Sequence, residues 1–264
     1  MKLRILVNQV TLLYLVMTAC HETQAAYFQG FDNVGNITNN NDPLKWAWLN
    51  MSQNAGSAAT DPSVGGWWQG TPTSPTGQAT FFAQSGPADS YARADYSTAP
   101  YGNVYSNWFI TPTFDFASGD TFSFYTRTIT NSGNPDRLQI WLSTTGTSIN
   151  VGPDYNSVGN FSTLMGDINP NLDQRGYPET WTQFTYSLNN SFTGRIGFRY
   201  YVTDTASRNG SYIGVDSFST SANLYNPVPE PSTYLLGLAA AGILSMAKRR
   251  IRTQLSSVKS CNLR

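Results

Sequence analysis

From Tyr27 to about Leu224, apolar and polar side chains alternate with a period close to two, and no apolar run there is long enough to cross a bilayer. Over Thr121–Thr128, Phe122 and Phe124 fall on one side and Thr121, Ser123 and Arg127 on the other, which predicts a strand with one face in a core. Over residues 137–143 the inward set is Leu138, Ile140 and Leu142, and over 195–202 it is Ile196, Phe198, Tyr200 and Val202. Further strands are predicted at 80–84, 90–96, 108–111, 182–188 and 211–219, with turn formers between them at Pro112, Ser118 to Asp120, Asn131 to Pro135 and Asn189-Asn190. Two stretches do not resolve into strands. Residues 33–78 are rich in Asn, Gly and Pro yet carry Trp46, Trp48, Trp67 and Trp68, which predicts an ordered loop system packed over one sheet edge. Residues 144–180 form a second long connection, with one short helical turn predicted from Phe161 to Met165. Many antiparallel strands joined by long crossovers indicate an all-β protein, an antiparallel β-sandwich of jelly-roll type occupying residues 26–224.

The two ends follow different patterns. Lys2 and Arg4 precede the apolar stretch from Ile5 to Cys20, and the small pair Ala25-Ala26 follows, so residues 1–25 read as a signal-peptide helix cleaved after Ala25. Met17-Thr18-Ala19-Cys20 competes with that site, since it resembles a bacterial lipobox that would make Cys20 a lipidated N-terminus. At the other end, Pro229-Glu230-Pro231 leads into a hydrophobic helix from Tyr234 to Ala247 and then the basic cluster Lys248, Arg249 and Arg250. That helix would span about 21 Å, against a bilayer core of about 30 Å, with the basic cluster held on the cytoplasmic side. The three elements, within residues 225–250, resemble the PEP-CTERM sorting signal of Gram-negative bacteria. The resemblance implies transient anchoring in the inner membrane, processing by an exosortase, and delivery to the cell surface or extracellular matrix. Residues 251–264 continue past the point where such signals usually stop. The competing reading is an ordinary membrane anchor that is never processed.

The body of the chain carries a second resemblance. The opening Tyr27 to Asn33, then Gly66 to Gly70, Ser106 to Pro112, Gly119 to Arg127, Asp136 to Ser143 and Gly210 to Phe218 resemble, in order, the choice-of-anchor J domain, similar to cleaved-adhesin and MAM-type jelly rolls. This implies a surface-displayed sandwich with an adhesive or structural role, and it implies no established activity.

Composition narrows the chemistry. The formal charge is zero over 264 residues, but this is an average over unlike segments: residues 27–226 hold eight basic against 14 acidic residues, a net −6. No basic excess is present to follow a nucleic-acid backbone. His21 and Cys20 lie in the signal peptide and Cys261 beyond the sorting signal, so the domain has neither His nor Cys. Serine and cysteine nucleophile mechanisms in their usual forms, and structural zinc, are excluded. Glycoside hydrolysis needs two carboxylates, and Glu179 is the one Glu in the domain, leaving an Asp partner as the alternative. The expectation is a non-catalytic protein.

Calcium is the metal that an acidic, oxygen-rich domain favours. Asp32 near the domain start and Asp216 near its end are the candidate ligands, because the first and last strands of a sandwich commonly run side by side and the resembling adhesin domains bind calcium near such positions. The plainer reading is that Asp32 caps a turn and Asp216 bonds loop amides. Trp67 and Trp68, flanked by Gly65, Gly66 and Gly70, are candidates for stacking on a sugar ring, and neighbours on a strand face opposite sides, so at most one belongs in the core. Extracellular polysaccharide is the expected non-protein partner, as the matrix to which the sorting-signal resemblance implies delivery. The alternative function is a carbohydrate-binding or carbohydrate-cleaving sandwich.

Overall fold

The computed structural model describes residues 27–56, 66–73, 77 and 79–227. The predicted signal peptide and the sorting elements from Pro229 to Arg250 lie outside the described residues. The chain divides into two compact units, Met1–Tyr225 and Asn226–Arg264.

The first unit is built from β1 (Tyr27–Gln29), a short helix α1 (Val34–Ile37), β2 (Ala47–Asn50), β3 (Trp68–Gln69), β4 (Ala92–Asp95), β5 (Tyr105–Ile110), β6 (Phe114–Phe116), β7 (Thr121–Thr128), β8 (Leu138–Ser143), β9 (Thr163–Ile168), β10 (Thr182–Ser187), β11 (Phe192–Val202), β12 (Tyr212–Thr220) and β13 (Asn223–Leu224). One sheet runs β10-β7-β12-β4-β3, with β1 alongside the end of β12; the other runs β13-β6-β11-β5-β2, with β8 and then β9 on the free side of β11. Every strand pair is antiparallel. The protein is an all-β sandwich of jelly-roll type, as the alternation predicts.

The predicted inward residues of β7, β8 and β11 are all buried in the central core between the sheets. The outward-facing positions of several strands are buried as well. On β5, Phe109 faces the central core, while Trp108 and Ile110 pack outside with Ala47, Val151 and Phe161. On β12, Ile213 and Val215 face inward, while Tyr212 joins Phe81, Tyr91 and Ile129. The long connections thus lay a second apolar layer on each sheet, and β5 is buried at all six positions.

Three local expectations are corrected. Residues 161–165 form no helical turn: Phe161 packs against Trp108 at 5.4 Å between ring centroids, and Thr163–Ile168 pairs with β8 as β9. The pairing satisfies the backbone of this segment across the ladder, which an isolated turn could not do. Residues 80–84 form no strand, because the amides of Gln84 and Ser85 donate to the Asp216 carboxylate rather than to a neighbouring strand. The segment 33–78 packs at an edge of each sheet rather than of one, contributing β2 beside β5 and β3 beside β4.

Candidate functional site

The first strand, β1, runs beside β12, the strand that carries Asp216, rather than beside the short last strand β13, which pairs with β6: Tyr27 pairs with Thr220 and Gln29 with Phe218. A bulge in β12 between Asp216 and Ser219 adds one residue opposite β7, with Ser217 in the left-handed region at φ 49°. Beside this bulge the Asp216 carboxylate binds the loop that follows Phe81. Its Oδ2 accepts from the amides of Gln84 at 2.8 Å and Ser85 at 3.3 Å, and its Oδ1 accepts from the Ser217 amide at 2.5 Å. Burial pushes the Asp216 pKa up to about 6, and those amides offset part of the rise. Asp32 is exposed and reaches the same loop from the other side, where its Oδ1 accepts from Ser90 Oγ at 2.7 Å. The two predicted residues therefore hold opposite ends of one loop, residues 84–90. Gln84 Oε1 accepts from Ser217 Oγ at 2.8 Å, so side-chain oxygens of the kind a hard cation takes lie beside the amides that already bond Asp216. Among the described residues no group of three or more His, Cys, Asp or Glu side chains is close enough to hold a metal. A cation here would have to draw on hydroxyl, amide or backbone oxygens and compete with the loop amides.

Trp67 and Trp68 face opposite ways, as neighbours on a strand must. Trp67 is buried, stacked on Phe109 at 5.2 Å and 13°, and its Nε1 donates to the Asn107 carbonyl at 3.3 Å. With that face occupied, Trp67 is not open to a sugar ring. Trp68 is half-buried, and the Arg93 guanidinium lies over its ring at 4.8 Å.

One carboxylate absent from the sequence candidates cross-links several strands. Asp136 is fully buried just before β8. It accepts from Thr128 Oγ1 at 2.5 Å, Tyr200 Oη at 2.7 Å and the Ser211 amide at 2.6 Å, tying β7, β11 and the start of β12 together. Burial raises its pKa, and these donors pull it partway back. Burial, followed by the charge of Asp136, lifts the Tyr200 phenol well above 10. Asp136 and Glu179 both line a cavity of about 110 Å³. That is well below the roughly 300–1,000 Å³ of ligand pockets, and it suits a few water molecules.

Asn134 also lines a larger cleft of about 490 Å³, together with Tyr96, Tyr101, Tyr105, Arg208 and Asn209 among others. Its walls are fixed. The Asp95 carboxylate caps the turn at Tyr96–Thr98 by accepting from the Ser97 amide at 2.8 Å, and it pairs with Arg93. Tyr101 Oη donates to the Ala206 carbonyl at 2.5 Å, and Thr205 Oγ1 to the Asn103 carbonyl at 2.8 Å. The Gly210 amide donates to the Pro135 carbonyl at 2.8 Å, and the Tyr105 ring lies so near that a Cβ on Gly210 would fall 2.8 Å from it. Tyr105 stacks in turn on Tyr200, which Asp136 holds. Sequence reasoning missed this site because its segments, at 96–105, 134 and 205–211, are remote from one another along the chain.

The second unit begins at Asn226, and its sequence places Pro-Glu-Pro, an apolar run and a basic cluster in that order. Residues 227–252 match the PEP-CTERM protein-sorting motif. The matched span of the PEP-CTERM motif takes in Pro229, Glu230 and Pro231 as well as Lys248, Arg249 and Arg250, and it implies export and surface sorting. The described fold that precedes the motif is similar to the K3 cleaved adhesin domain of Lys-gingipain from Porphyromonas gingivalis W83, at 16% identity over 74% of this chain and 97% of that chain, with a TM-score of 0.46. It is also similar to the K2 cleaved adhesin domain of Lys-gingipain, at 16% identity, 74% and 99% coverage and a TM-score of 0.44. A third similar structure is TmCBM61 in complex with β-1,4-galactotriose, at 12% identity, 68% and 89% coverage and a TM-score of 0.34. These are likenesses of fold. No curated protein matches the chain.

Proposed function

We propose that this chain is an exported protein of a Gram-negative bacterium, processed by an exosortase at its Pro-Glu-Pro signal, whose β-sandwich serves a non-catalytic structural or adhesive role on the cell surface or in the extracellular matrix. The observation that carries the reading is the PEP-CTERM motif at 227–252, directly after a compact domain that ends at Tyr225. The inner membrane holds the chain only until processing, through the apolar segment from Tyr234 to Ala247. The sandwich is proposed to be of the choice-of-anchor J kind, with extracellular polysaccharide as its surroundings.

A non-catalytic role is supported by a domain without His or Cys whose single Glu, Glu179, shares only a small cavity with Asp136. Calcium is proposed as a stabilising ion at the loop that Asp32 and Asp216 hold. Support for it is the convergence of both carboxylates on residues 84–90.

The sorting reading is tested by surface labelling of intact cells expressing the full chain or its Glu230→Ala and Pro231→Ala variants. The expected result is labelling of the wild type and retention of the variants in the membrane fraction. Equal surface labelling of all three would overturn it.

A further inference from the structure

We infer that the cleft beside Tyr101 is a saccharide-binding site, and that the sandwich uses it to hold one or two pyranose units of a polysaccharide. The inference rests on the surface role proposed above and gives it a ligand class and a location.

Three features of the cleft point to a sugar. Its volume, about 490 Å³, falls within the ordinary range of small-molecule sites. Its lining brings the exposed Tyr101 and the half-buried Tyr96 together with the half-buried Asn134, Asn209 and Ser97 and the exposed Arg208, with the buried Tyr105 and Ser211 behind them. Aromatic faces meet the C–H faces of a pyranose while amides, hydroxyls and a guanidinium bond its ring of hydroxyl groups. That mixture suits an amphipathic carbohydrate better than it suits a wholly apolar or wholly anionic ligand.

The third feature is its construction. Tyr101 is a large aromatic residue left 67% exposed, and its hydroxyl is already fixed to the Ala206 carbonyl. Its ring is thus presented in a set orientation, with little rotamer entropy left to lose on binding. Asp204 and Arg208, which flank the turn at Thr205–Ser207, both adopt left-handed backbone, at φ 52° and 65°. Two such non-glycine residues bracketing one turn are held by the surrounding structure, and backbone of this kind gathers at binding loops. Behind the cleft, Asp136 anchors the Ser211 amide and, through Tyr200, the Tyr105 ring. The site is preformed rather than assembled by its ligand.

This location differs from the Trp67-Trp68 pair. Trp67 is packed on Phe109, Trp68 is covered by Arg93, and neither lines the cleft.

The test is isothermal titration of the full chain, purified in mild detergent, with two probes: cellotetraose, and oligosaccharides from the extracellular polysaccharide of the producing cells. Tyr101→Ala, Arg208→Gln, Trp68→Ala and Phe82→Ala are compared with the wild type, with circular dichroism confirming that each remains folded. Phe82 is a control for exposed aromatic surface, being 67% exposed and not among the residues that line the cleft. The expected result is binding of at least one probe, weakened roughly tenfold or more by Tyr101→Ala, as truncation of an aromatic anchor does, and unchanged by Trp68→Ala and Phe82→Ala. Loss with Arg208→Gln for acidic fragments alone would support the site and identify a carboxylate-bearing sugar. Silence toward both probes, or binding that Tyr101→Ala leaves unchanged, would overturn the inference. Either negative would leave surface sorting untouched, because that is read by location and not by affinity.

Discussion

Asp216 combines two demands that pull against each other. Its carboxylate is buried, which favours the protonated form, yet the amides of Gln84, Ser85 and Ser217 all donate to it, which favours the charged form. Burial wins, and the folded pKa of about 6 stands above the ordinary 3.8. A carboxyl raised on folding contributes stability that is complete below the unfolded pKa and is lost as pH rises through the folded one. In calcium-free buffer, the unfolding free energy should therefore fall between about pH 4 and pH 7 by on the order of 3 kcal/mol relative to Asp216→Asn. If calcium binds here, millimolar calcium should raise the unfolding midpoint of the wild type, more at pH 7 than at pH 5, and should leave Asp216→Ala unmoved. Thermal unfolding with and without chelator checks both parts. Equal calcium shifts in wild type and variant, or none in either, would remove the ion from this loop.

Strands with strict alternation were legible from the sequence, because one face of each is apolar and its inward set is the buried set: Phe122 and Phe124 on β7, or Ile196 to Val202 on β11. Short strands were not. β9 reads Thr163 to Ile168 with Leu164 exposed and Gly166 central, so its apolar residues do not mark the side that pairs or packs. What makes it a strand is its partner β8, a contact no local pattern encodes. Arg195 and Arg199 lie on the outward face of β11, where alternation puts polar residues, yet both are buried. Burial pulls each down to about 10. The connection that reaches Arg199 was visible only as a long loop, with the Tyr155 carbonyl accepting from it, while Arg195 donates to Thr113 Oγ1 and the Thr111 carbonyl. Element packing also fixes one glycine. A Cβ on Gly166 would fall 2.1 Å from Tyr186 Oη on β10, so β9 approaches the opposite sheet only because the side chain is missing. Gly166→Ala should cost about 1–3 kcal/mol in denaturant unfolding, as overpacking does. Adding Tyr186→Phe should recover part of it, and a strictly additive double variant would contradict the close approach.

At the scale of the whole molecule, the neutral charge of the chain conceals a division of labour. An acidic domain of net −6 precedes a tail from Pro227 that carries six basic residues and one acidic. The sorting end was fully legible, because order along the chain is itself the signal and the match at 227–252 reads the same elements. The cleft was not legible, since Tyr101, Asn134 and Arg208 meet only when the strands have folded. The predicted pair Asp32 and Asp216 stands between these cases: the sequence correctly placed them near adjoining strands but could not reveal that they share the 84–90 loop. On the proposed function, an exosortase cuts the PEP-CTERM motif and the sandwich is released to the surface. Mass spectrometry of the intact protein from fractionated cells tests it most directly. The surface fraction should contain a chain whose C-terminus lies near Pro229 to Ser232, without the apolar segment or the basic cluster. A chain intact through Arg264 and confined to the membrane fraction would contradict it.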